Sequence, residues 1–474
     1  MLSYLRFLAL AVVLGSSLTA EAAPVWNPVI QTSKGQVVGV TGDVSRRFTL
    51  PYAKPPVGNL RFDRPGPKLL TISMGATYYG TELPKACLQN GRISPTEQSE
   101  DCLYMNIYTP KAIAYERKLP VMVWVHGGSF AEGGIAGLDG SKLASSQNMI
   151  VVMVQYRLGL FGWLKYPRFG FEGNYGLRDL ILALQVVQQD ISAFGGDPSL
   201  VTLAGQISVA KSLLLDNLNI GSRFNLYADK LPNSVSDNTL LGAQQNVAFL
   251  AATNQLPGVA QAEPFNLLLD DKLFSADGDV IARSGKQVIY TTVKDEACAA
   301  VSTGIQVASQ LVQIPSDDFE GLVKFSFPER AQAIVDSKLY QPTEDDEETI
   351  AQDLVRLTTD FAWTCPNQRD ALAAAKGATV YLGEFDLGIQ AAPTAETSLC
   401  AEKFGHEDDI AVVFGTSSSL SSAQTALVKE VQARWAAFAR TGNPTPSSYP
   451  TWPALDSAGG LQILQLGTPR TAEA

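Results

Sequence analysis

The chain has 474 residues, 46% of them hydrophobic and 18% charged, which supplies one large core and excludes global disorder. Acidic residues outnumber basic ones, 47 to 36, for a formal charge of −11 and a pI near 4.9. That balance argues against a nucleic-acid partner, which needs a basic face to displace counterions, and against an anionic membrane surface.

In chain order, Met1–Ala22 reads as a secretory signal: Arg6 is the positive flank, Phe7–Leu14 the apolar run, and Ala20-Glu21-Ala22 a small-residue cleavage pattern. The apolar run is too short for a spanning helix, which needs about 20 residues, and no later stretch reads as a transmembrane anchor. The expected location is therefore extracellular. Five cysteines, Cys87, Cys102, Cys298, Cys365 and Cys400, fit an oxidising compartment, and their odd number leaves one over.

Leu119–His126 (LPVMVWVH) and Met149–Val154 (MIVVMV) are continuous apolar runs, as in strands buried on both faces of a parallel sheet. Leu177–Phe194 has apolar residues at three- and four-residue spacing and predicts an amphipathic helix. Leu200–Ala204 and Gln287–Thr291 read as strands, and Val428–Ala439 as a helix ended by Thr441-Gly442-Asn443-Pro444. This alternation points to an α/β fold with a large, mostly parallel twisted sheet flanked by helices. With no repeat or low-complexity linker, residues 30–470 read as a single domain.

Chemistry first shows at His126-Gly127-Gly128-Ser129-Phe130, directly after a buried strand. A glycine-rich turn there presents backbone N–H groups that can hold the oxyanion of an acyl-transfer transition state. The same five residues also read as an ordinary turn closing a strand. Only two histidines occur, His126 and His406, so a histidine-rich metal site is excluded. No metal cluster, phosphate-cradling loop or dinucleotide fingerprint points to a cofactor, and none is expected.

Several segments read together carry a family resemblance: Pro51–Phe62 (PYAKPPVGNLRF), Ser99–Asn106 (SEDCLYMN), Leu119–Phe130, Gln155–Gly162 (QYRLGLFG), Gly173–Asp179 (GNYGLRD), Ala193–Pro198 (AFGGDP) and Phe438–Pro444 (FARTGNP). In this order they closely resemble the type-B carboxylesterase/lipase family, the cholinesterase-like branch of the α/β-hydrolases, in its fungal, secreted form. The resemblance covers about residues 30–206 and 235–470.

It implies a serine, a glutamate and a histidine acting together on a small-molecule or lipid ester. The glutamate falls on Glu296 in TVKDE and the histidine on His406 in GHEDDIAVVFG. The carboxylate would orient the imidazole while the imidazole takes and returns the serine proton. Read alone, Glu296 is a solvated charge and His406 a surface histidine in an acidic loop. The resemblance further implies that Gly128 and Ser129 supply oxyanion-hole N–H groups and that His126 is structural. It implies disulfides Cys87–Cys102 and Cys365–Cys400 with Cys298 as the odd thiol, and scaffold ion pairs Arg61–Glu100 and Asp101–Arg157. Family members that take choline esters carry a tryptophan in the first disulfide loop; residues 88–101 have none, which argues against such a substrate.

The nucleophile breaks the pattern. After Leu200–Ala204 the family motif is Gly-x-Ser-x-Gly, but this chain has Gly205-Gln206-Ile207-Ser208-Val209. Ile207 cannot attack a carbonyl, and a β-branched residue fits poorly in a turn that demands positive φ. Ser208, one position later, would point its hydroxyl away from His406. The resemblance is also lost over residues 207–234, where the fold is expected to be locally incomplete, and the stretch from Ile207 to Glu296 is short for the family. Two faults beginning at one residue suggest one event, a mis-assigned exon boundary, with a spliced variant or genuine degeneration as the alternative. The sequence thus describes a secreted ester hydrolase lacking its nucleophile, or else a non-catalytic binding scaffold of the same family.

Overall fold

The structure, a computed structural model, describes residues 27–32, 35–67, 77–112, 118–206, 286–344, 346–387, 398–400, 403–417, 419–455 and 460–467. Met1–Ala22, read from the sequence as a signal, and the segment 207–234 lie outside these residues.

A six-stranded sheet is built from β1 (Val40–Thr41), β2 (Ser45–Pro51), β3 (Tyr104–Pro110), β4 (Leu119–Val125), β5 (Ile150–Val154) and β6 (Gly196–Gly205), in the spatial order β6-β4-β5-β3-β2-β1. The apolar runs sit where their composition demands: every residue of β4 and β5 is buried. These two strands and β6 are mutually parallel. Helix α1 (Ser141–Gln147) makes the crossover from β4 to β5, and α2 (Tyr175–Asp190) that from β5 to β6. The β5–β3, β3–β2 and β2–β1 pairings are antiparallel, so this sheet is mixed.

A second sheet of β7 (Gln287–Val293), β8 (Thr379–Phe385) and β9 (Ile463–Leu466) is parallel throughout, with β8 in the middle. Among the described residues no ladder joins β6 to β7, yet the sheets share a core. Trp124 of β4, Val293 of β7, Phe385 of β8 and Phe414 lie in one buried cluster, with Ala204 of β6 packed against it. Three further helices frame this half: α3 (Cys298–Val307), α4 (Asp408–Phe414) and α5 (Ser422–Thr441). Helix α5 opens on a capping box of Ser421 and Gln424 and stops at Gly442, whose φ of +74° suits a residue without Cβ.

One scaffold pair differs from expectation. Arg61 meets Glu100 at 2.7 Å as anticipated, but Arg157 pairs with Asp179 of α2, not with Asp101. Its Nη2 and Nε donate to the two Asp179 oxygens at 2.7 and 2.8 Å. Asp101 instead bonds the Tyr104 hydroxyl. The reason is depth: Asp179 is fully buried and needs a cation, and the N-terminal half of α2 brings it to the segment after β5.

Candidate active site

Strand β4 delivers His126–Phe130 at its C-terminal end. The turn needs unusual backbone: φ is +106° at Gly128, +50° at Ser129 and +59° at Phe130. The N–H groups of Ala131 and Glu132 donate to the Gly128 carbonyl at 2.9 and 3.0 Å, and a Cβ on Gly128 would strike the Glu132 carbonyl. The Phe130 carbonyl accepts from Gly159 N at 2.7 Å and Trp163 Nε1 at 3.2 Å, and the two rings pack edge to face at 4.5 Å. Two left-handed non-glycine residues in a row are thus held from outside the turn. His126 sits inside the core, stacked on Tyr156 at 4.6 Å. Burial depresses its ring to about 4, against the smaller opposing effect of the Gly127 carbonyl, so it is neutral at pH 7.

The second sheet delivers the other half. Glu296 follows β7, where Lys294 N donates to Phe385 O at 3.1 Å and Asp295 N to Phe404 O at 3.1 Å. The Glu296 carboxylate is 5% exposed and accepts from His406 Nδ1. His406 stands in the loop before α4, fixed by Gly405 N donating to Asp408 Oδ2 at 2.8 Å. Burial alone would lower the His406 ring. The hydrogen bond and charge of Glu296, then the charges of Glu407 and Asp409, outweigh it and hold the imidazole up at about 9. Asp409 is pushed up to about 7, by burial first and by Glu296 second.

Gln206, the residue after β6, links the halves. Its carboxamide oxygen and carbon lie where a Cβ on Gly127 would be, 2.5 and 2.7 Å from that position, and its Nε2 donates to Glu407 Oε1 at 3.2 Å. The glycine turn, the end of β6 and the histidine loop therefore meet through one buried amide. Sequence reasoning assigned no role to Gln206 or Glu407, although both flank positions it singled out. Ile207 and Ser208 lie outside the described residues.

The disulfides correct one expectation. Cys87–Cys102 forms, with Cα atoms 5.0 Å apart. Cys400 pairs with Cys298 and not with Cys365: their Cα atoms are 5.5 Å apart, and Cys365 is a free, exposed thiol. Cys298 opens α3 two residues after Glu296, and a Cβ on Gly405 would come 3.1 Å from its sulfur. The bridge therefore ties the glutamate arm to the histidine loop. Among the described residues no cluster of His, Cys, Asp and Glu could hold a metal ion, and no helix is long and apolar enough to cross a membrane.

The model of the family described as "Carboxylesterase family" matches residues 26–234 and 230–473. Carboxylesterase 1E of Rattus norvegicus is 29% identical over 540 residues, covering 97% of this chain and 93% of that protein. Acylcarnitine hydrolase of Mus musculus is 28% identical over 511 residues, covering 94% and 88%. Both alignments are longer than the 474-residue chain, so those proteins carry residues with no counterpart here. Among solved structures, a PNB esterase aligns with a TM-score of 0.71 at 26% identity, covering 93% of this chain and 96% of that one. The fold is that of the α/β-hydrolases.

Proposed function

The chain belongs to the carboxylesterase family, and we propose that it derives from a secreted serine carboxylic-ester hydrolase of which this sequence, as written, is an unarmed form. In the armed enzyme a serine hydroxyl at position 207 attacks the carbonyl of a small-molecule or lipid ester. His406 takes the hydroxyl proton and returns it to the leaving alcohol, while Glu296 orients the ring and stabilises its cation. Gly128 and Ser129 supply N–H groups to the tetrahedral oxyanion, and water then releases the acyl group.

One observation carries the reading: His406 Nδ1 is bonded to Glu296, its chain neighbour Glu407 accepts from Gln206, and Gln206 packs against Gly127, while the next residue after Gln206 is isoleucine. Without a nucleophile the remaining groups give at most roughly 10³–10⁴-fold acceleration over water. Two disulfides, and described helices too short or too polar to span a bilayer, support secretion. The relatives' extra length supports loss of a segment through a misread coding sequence. The absence of serine at 207 equally favours a second reading, a non-catalytic scaffold that binds a partner through the same cleft.

Treating the purified chain with a p-nitrophenyl ester and a fluorophosphonate probe separates these readings. Neither turnover nor labelling is expected, and labelling at Ser208 would overturn the assignment of position 207. A form with a restored Gly-x-Ser-x-Gly elbow should gain both; failure to do so favours the scaffold. A transcript that reads through Gln206 into Ile207 as written removes the misreading.

A further inference from the structure

The nitrogen of His406 that would serve a nucleophile is Nε2, because Nδ1 is taken by Glu296. Nε2 already has a neighbour: Glu407 Oε1 lies 4.0 Å away, at ion-pair range. That carboxylate is fixed, since the same oxygen accepts from Gln206 Nε2 at 3.2 Å. Gln206 is itself buried and wedged against Gly127. The backbone of Glu407 is left-handed, with φ of +74°, a conformation that is strained for a residue with a Cβ. A position whose backbone favours glycine thus carries a carboxylate beside the ring, and strain of this kind is held where the surroundings fix it.

We propose that Glu407, tethered by Gln206, is a positioning residue that holds the imidazole of His406 as its cation between two carboxylates and occupies its Nε2 side. An imidazolium cannot take a proton from a hydroxyl, so the pair is a latch that must open before His406 acts as a base. The other charged groups facing the ring are Glu296, from the turn after β7, and Asp409 from α4. Glu132, after the glycine turn, faces Glu407 and is pushed up mainly by its own burial. The Trp363 ring, 6.4 Å away centre to centre, is neutral. The inference rests on the reading of His406 as the acid–base group, but it concerns the charge of the ring and is tested without turnover.

The chain has two histidines, and His126 is held near 4 by burial, so only one ring titrates above neutrality. Nitrogen NMR of ¹⁵N-histidine-labelled full-length protein follows that ring directly. Glu407→Gln keeps the volume, and Glu407→Gly suits the left-handed backbone; both should lower the His406 midpoint by about half a unit to one unit. Gln206→Leu, which frees the tether, should lower it by less, and Glu296→Gln should lower it most. Near-UV circular dichroism checks that each variant is folded. If either Glu407 variant is folded and its midpoint stays within about 0.2 units of the parent, the latch is overturned and the charge belongs to Glu296 alone.

Discussion

Removing the carboxylate of Asp179 tests the brace between α2 and the segment after β5. Asp179 is fully buried and accepts from Arg157 N, Nε and Nη2 at 3.1, 2.8 and 2.7 Å. The Arg157 side chain is 3% exposed, and its Nη1 donates to the Arg61 and Asp63 carbonyls at 3.0 Å. Asp179→Ala leaves a buried guanidinium with two carbonyls and no counter-charge. Breaking a buried pair from one side costs about 3–5 kcal/mol, a large share of the roughly 5–15 kcal/mol that stabilises a domain. The pair itself adds little net stability, because burial pushes the Asp179 carboxyl up even with Arg157 beside it. The double variant Arg157→Met/Asp179→Leu should therefore cost less than Asp179→Ala, with about 1–3 kcal/mol remaining for the two orphaned carbonyls and the orphaned N–H of residue 157. Chemical denaturation with the disulfides intact reads these differences. A cost below about 1 kcal/mol for Asp179→Ala, or a double variant worse than the single, refutes the argument.

Two further outcomes follow from the site. Thiol titration of the native chain should count one reactive cysteine, Cys365, and Cys365→Ser should abolish the signal with stability within about 0.5 kcal/mol of the parent. Cys298→Ser should expose Cys400 and, by opening a 102-residue loop, cost about 2–5 kcal/mol; loss of the bridge in the Cys365 variant instead would refute the pairing. Stability should also fall as pH rises in two stages. Asp409, lifted from 3.8 to about 7, binds more protons folded than unfolded between those values, and His406, lifted from 6.5 to about 9, does so in the next window. Asp409→Asn should flatten the first stage and Glu296→Gln the second in denaturation at stepped pH; an unchanged slope in both counts against the assigned causes.

The continuous apolar runs foretold β4 and β5, because a strand buried on both faces can carry almost nothing else. The helices at Tyr175–Asp190 and Ser422–Thr441 were legible for the opposite reason, a single buried stripe. The glycine turn was legible as a turn, while the left-handed Ser129 and Phe130 were not: their conformation is imposed by Gly159 N and Trp163 Nε1, both distant in sequence. The partners of Arg157 and Cys400 were misassigned because the alternatives differ only in depth and approach. Asp101 and Asp179 are the same residue type, and Cys298 and Cys365 the same thiol. Only packing brings Asp179 and Cys298 to the right distance. Glu407 shows the same limit, since its place beside Nε2 depends on a left-handed backbone and on Gln206, 201 positions away.

The assembly of the Glu296–His406 pair is independent of the chain that follows β6, for a structural reason. The two residues are joined by connections that never pass through β6: the Cys298–Cys400 bridge, Asp295 N to Phe404 O, and the parallel pairing of β7 with β8. The glycine turn depends in the same way on β4, Gly159 and Trp163. A change in the chain after Gln206 therefore leaves the contacts within each half intact. In β6, Leu203 is 41% exposed, while the neighbouring β4 is buried at every position. Among the described residues β6 has β4 on one side and no partner on the other. A central strand of an α/β sheet is normally covered on both faces and paired on both edges.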